Sequence, residues 1–175
     1  MSDEPRPESR AEARAVAAYL KTLRALVNEA SASRATWIRQ LGALLTEVRA
    51  GTDPEALARE AGRIGLEQSV VFREFKRRLE KLDAPLLCND IHLLASSWLD
   101  KQMAACEVME EVGRTGDLAS LRETQGLLAE GRNDSRRFSA AYAEMVAWLR
   151  ERLGSTRRNR ATRAGARRFG WLRRR

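Results

Sequence analysis

Histidine occurs once, at position 92, and cysteine twice, at positions 88 and 106. Those shortages narrow the chemistry before any pattern is sought. A di-iron helical bundle places Glu-x-x-His pairs on two helices, and one histidine cannot furnish both. Cys88 and Cys106 stand 18 residues apart in what reads as one helix. At 1.5 Å per residue that is about 27 Å, far beyond disulfide reach. Neither has a companion at metal-ligand spacing, so both are expected as small buried or half-buried thiols. The chain is accordingly read as cytoplasmic, with no metal and no cofactor.

Long apolar runs are also missing. Nothing approaches the ~20 residues that a spanning helix needs, so no transmembrane segment is expected. The opening MSDEPRPESRAEAR has no apolar stretch behind its charges, unlike a secretory signal. Lysine is scarce: Lys21, Lys76, Lys81 and Lys101 leave 28 of the 32 basic residues as arginine. A GC-rich coding bias explains arginine in place of lysine. It does not explain the absence of any carboxylate from residues 154–175, GSTRRNRATRAGARRFGWLRRR, where nine residues are arginine. The formal charge is +8, and the first 153 residues hold 23 basic against 24 acidic residues. A nearly neutral body therefore carries a concentrated cationic segment.

What is abundant is helical periodicity. From Val16 the apolar positions step by four and three through Leu20, Leu23, Val27, Ala30, Arg34, Trp37, Leu41, Leu44 and Val48, a coiled-coil-like stripe. Gly51-Thr52-Asp53-Pro54 then supplies a stop, a cap and a first-turn proline. A second stripe runs Leu57, Ala61, Ile64, Gln68, Val71, Phe75, Leu79, Leu82, with Gly62 and Gly65 suited to a close helix crossing. Asp83-Ala84-Pro85 is expected to cap a third helix directly, with the stripe Leu87, Ile91, Leu94, Trp98, Gln102, Ala105, Met109, Val112 and a stop at Gly113. The fourth stripe is Leu118, Leu121, Gln125, Leu128, Ser135, Phe138, Tyr142, Met145, Leu149, Leu153. Gly126, Gly131 and Asn133-Asp134-Ser135 are expected to bend it without breaking it. Three short connections make neighbours antiparallel, so the expected fold is an all-α, up-down-up-down four-helix bundle. Its parts are a flexible segment 1–9, the bundle 10–153, and an arginine-rich tail 154–175, disordered or partly helical.

Candidate chemistry is thin. Cys88 lies four residues before His92, the spacing at which two helical side chains meet, and imidazole can activate a thiol. No third group or oxyanion loop accompanies the pair, and the chain is read as non-enzymatic. Arg34, Gln68, Gln102 and Gln125 interrupt the stripes, either as register markers or as a polar layer able to hold a small ligand. Trp148 falls between stripe positions and is expected to face a partner or a second copy of the chain. The tail is the strongest signal. Arg157, Arg158, Arg160, Arg163, Arg167 and Arg168 precede Phe169 and Trp171, and Arg173, Arg174 and Arg175 follow. Arginine forks grip phosphate, and exposed aromatics stack on unpaired bases. The expected function is polyanion binding by an interaction bundle, with nucleic acid the preferred partner and an anionic membrane surface the runner-up. Behind those readings stands a ligand-binding bundle or enzyme, and a protein partner or homo-oligomer accompanies the first.

Overall fold

In the computed structural model of the chain, the backbone is described for residues 8–51 and 53–169, and side chains for residues 11–51 and 53–152. Within that range the protein is four antiparallel helices: α1 (Glu8–Ala50), α2 (Pro54–Glu80), α3 (Asn89–Thr115) and α4 (Leu121–Phe169). At 1.5 Å per residue α2 and α3 are each about 40 Å long, whereas α1 and α4 reach about 64 and 73 Å. No helix among the described residues is long and apolar enough to cross a membrane.

The turns follow from their residues. Gly51 takes φ +74°, a left-handed conformation that closes α1. Asp53 then accepts the backbone N–H groups of Glu55 and Ala56 at 3.0 and 3.3 Å, and Pro54 occupies the first helical position. Two boundaries depart from expectation. Pro85 opens a short 3-10 turn, Leu86–Cys88, and α3 begins one turn later at Asn89. Leu87, expected in the core, is therefore 43% exposed. At the far end α3 passes through Gly113 and stops at Gly116, whose φ of +79° and N–H bond to Val112 make the cap. Asp117 then accepts from Ala119 N–H. Helix α4 continues without interruption through residues 131–135.

Gly113 has another use. A Cβ on Gly62 would stand 2.8 Å from the Gly113 Cα, and one on Gly65 would stand 2.7 Å from the Cys106 carbonyl. Both distances are inside van der Waals contact, so glycine lets the α2 and α3 backbones touch. The α2–α3 pair forms the most extensive interface of the bundle, α3–α4 follows, and α1 packs less extensively on α2 and less again on α4. Helix α3 is thus central, and Ile91, Ala95, Trp98, Leu99, Ala105, Cys106, Met109 and Val112 are all buried along it. Trp37 of α1 packs on Phe72 of α2, ring centroids 5.5 Å apart, to join the two outer halves of the core. Trp148, expected to face a partner or a second copy, is half-buried: one part packs against the core, and the Arg152 guanidinium lies 5.2 Å from its ring.

Candidate anion-binding groove

Where α1 and α4 part, two grooves open between them. The outer one, about 480 Å³, is lined by Arg24, Asn28 and Ser31 of α1 and by Ser135, Ser139, Tyr142 and Arg150 of α4, among others. Its apolar floor includes the Phe138–Tyr142 pair, with ring centroids 5.9 Å apart, and Arg24 sits 5.6 Å above the Tyr142 ring. The Tyr142 hydroxyl reaches the Leu20 carbonyl at 3.5 Å, which ties the two helices at this level. The inner groove, about 280 Å³, is lined by Arg34, Ile38, Leu41, Gly42 and Leu45 of α1 and by Gln125, Leu128 and Arg132 of α4.

Neither groove is lined by a carboxylate. The neighbouring acids are turned toward the other helices. Glu29 of α1 bonds Arg78 of α2 at 2.7 Å. On α4, Glu130 meets Lys101 of α3 at 2.5 Å, and Asp134 accepts from the Ser97 hydroxyl at 2.7 Å. Each pair turns a negative group toward α2 or α3, and the two grooves keep only basic charge in their linings.

The polar residues that interrupt the stripes separate into distinct roles. Gln102 is fully buried, donates through Nε2 to the Trp98 carbonyl at 3.2 Å and accepts from Arg34 Nε at 3.0 Å. Gly131 makes room for that amide, since a Cβ there would stand 2.7 Å from Gln102 Nε2. Arg34 is half-buried, and desolvation first, then the like charge of Arg132, lower its pKa. A guanidinium stays charged at neutral pH regardless, so Arg34 is a partly desolvated cation whose described polar partner is a neutral amide. Gln125 is exposed at the rim of the same groove, while Thr124 takes the inward position that the stripe assigned to Gln125. Arg34 and Gln125 thus line one groove, and Gln102 lies behind it, bonded to Arg34. Gln68 stays apart on α2.

Cys88 and His92 do not form an activated pair. Burial pushes the Cys88 thiol up, away from thiolate. The His92 Nδ1 is engaged at 2.9 Å by the Tyr19 hydroxyl. Burial raises the Tyr19 pKa and lowers that of His92, which favours the neutral form of both partners in this hydrogen bond. Both cysteines are free and buried.

The predicted tail residues fall in two groups. Arg157, Arg158, Arg160, Arg163, Arg167, Arg168 and Phe169 lie on the last turns of the α4 backbone. Trp171, Arg173, Arg174 and Arg175 lie outside the described residues. Positions 157, 160, 163, 167 and 168 recur mostly at three- and four-residue steps, so a helical backbone gathers them within an arc of roughly 140°. No protein-family profile, characterised protein or solved structure matches this chain, and its function is argued from these residues alone.

Proposed function

We propose that the protein is a non-enzymatic interaction bundle that binds a polyanion, with nucleic acid preferred, through the arginines of α4 and the segment that follows. One observation carries the reading: nine arginines and no carboxylate in residues 154–175, attached to a body that is otherwise balanced. The α1–α4 face supports it, because Arg24 of α1 and Arg150 of α4 line a carboxylate-free groove beside the helix that also bears Arg157 to Arg168. The serines, Asn28 and the aromatic pair of that groove suit phosphates and bases better than an acyl surface. The proposed setting is the cytoplasm, and self-association or a protein partner accompanies the binding.

The test is the salt dependence of binding to single-stranded and duplex oligonucleotides of unrelated sequence. Engagement of about six phosphates predicts a log–log slope near −4 for single strands. Exchanging Arg157, Arg158, Arg160, Arg163, Arg167 and Arg168 for glutamine should flatten that slope and abolish binding near physiological salt. Liposome flotation decides against the anionic-lipid alternative. Tight binding to acidic vesicles, with oligonucleotides ignored, would transfer the tail to a membrane surface.

A further inference from the structure

We propose that the inner groove between α1 and α4 is a binding site for a small amphipathic oxyanion, a single carboxylate or phosphate head joined to a short apolar body. The site is independent of the polyanion reading, because its residues lie between positions 34 and 132, away from the arginine-rich segment. Two arginines, Arg34 and Arg132, line one cavity of about 280 Å³ with no carboxylate among its walls. Two like charges sharing a partly desolvated space repel each other, and an anion between them converts that repulsion into attraction. Arg34 is held in place for this task. Its Nε is spent on Gln102, which is itself fully buried and anchored to the Trp98 carbonyl. The two terminal nitrogens of the fork remain for bidentate contact with an oxyanion.

The remaining walls define the rest of the ligand. Ile38, Leu41, Leu45 and Leu128 offer an apolar surface beside the guanidinium groups, and Gly42 keeps the α1 side shallow. Leu41 and Leu128 belong to the buried core, so the apolar end of the ligand meets a fixed surface. Gln125, at the rim, supplies an amide for the outer oxygen of the head group. A carboxylate on a short alkyl chain and a phosphate monoester with an apolar group share this chemistry.

Titration of the full chain with hexanoate, inorganic phosphate and hexanol tests the site, read by the side-chain amide resonances of Gln102 and Gln125. Hexanoate is expected to saturate at one site per chain and to move both amides. Phosphate should move them with lower affinity, because it leaves the leucines bare, and hexanol should leave them unmoved. Exposed Arg132→Gln should weaken hexanoate about tenfold or more without changing the fold, the effect of losing one hydrogen bond to a charged group. Arg34→Lys keeps the charge but loses the fork and its tie to Gln102, and the same loss is expected. Saturation by hexanol as tight as by hexanoate, or hexanoate affinity unchanged in Arg132→Gln, overturns the site. So does the absence of any saturable shift at Gln102. Hexanoate binding that survives glutamine at the six α4 arginines supports the groove, and its loss in that protein would return the anion to the α4 segment.

Discussion

A methyl group added at Gly62 would stand 2.8 Å from the opposite Gly113 Cα, and neither backbone can retreat without separating α2 from α3. Gly62→Ala is therefore expected to destabilise the protein by about 1–3 kcal/mol, the usual cost of overpacking. The control is Gly126→Ala on the exposed side of α4, where nothing lies within 4 Å of the new Cβ. That change should add roughly 0.5–1 kcal/mol by restricting the unfolded chain. Chemical denaturation of the two variants checks both signs, and equal effects would remove the close-crossing argument. Gly62 and Gly65 were legible as a crossing because they sit near the apolar stripe of their own helix. Gly113 was not, because a glycine near a predicted helix end reads the same whether it caps or touches a neighbour. The cysteines make a second residue-scale case. Burial, with the nearby Glu110 and Glu107 charges, pushes Cys106 up to about 12, and burial also raises Cys88. In native protein at pH 8 both should resist a thiol reagent and react fully in denaturant. Rapid native labelling of Cys88 would reopen the Cys88–His92 pair.

Among the elements, α1 is the most loosely attached of the long helices relative to its length. It shares its larger interface with α2 and its smaller one with α4. Amide exchange should accordingly be slowest in α2 and α3 and faster in α1, the order expected when local stability follows buried contact. One tie from α1 to α3 is the Tyr19–His92 hydrogen bond, flanked by Lys76 of α2 and the buried Cys88. Folding lowers the His92 pKa from 6.5 by desolvation first and by the Lys76 charge second. Below pH 6.5 the unfolded chain therefore takes up a proton that the folded chain refuses, and stability falls as pH falls. The loss begins near 6.5 and ends at the lower folded pKa. His92→Gln should remove that part of the pH dependence in denaturation midpoints measured between pH 7 and 5. An unchanged profile would show that His92 is exposed to solvent. Periodicity predicted four helices and their order, because stripes and caps are local signals. It placed the start of α3 one turn early, because a proline after a capping residue suits a 3-10 turn and an α-helix equally. It also assigned Gln125 to the stripe where Thr124 faces inward, since two adjacent polar residues give no hydrophobic contrast.

At the scale of the whole molecule, the charges are sorted by side. Glu29 of α1 and Glu130 and Asp134 of α4 are engaged by Arg78, Lys101 and Ser97 of α2 and α3, and the two α1–α4 grooves are lined by arginine without a carboxylate. The sequence revealed the basic segment, because nine arginines without an acid need no fold to be seen. It could not reveal the groove, because Arg24 and Arg150 are separated by 126 residues and meet only when α4 returns alongside α1. This division predicts how binding and stability separate. The exposed ion pairs of the body are individually worth little, and glutamine at the six α4 arginines breaks none of those described. The melting temperature of that protein should match the wild type while polyanion affinity collapses. Arg24→Gln/Arg150→Gln should leave the melting temperature within about 2 °C and weaken oligonucleotide binding, lowering the magnitude of the salt slope by roughly 1–2. If the groove and the α4 segment grip one continuous strand, the two sets of substitutions will lose less together than the sum of their separate losses. Strictly additive losses, with the salt slope of each set unaffected by the other, would mean that the groove and the segment engage separate anions.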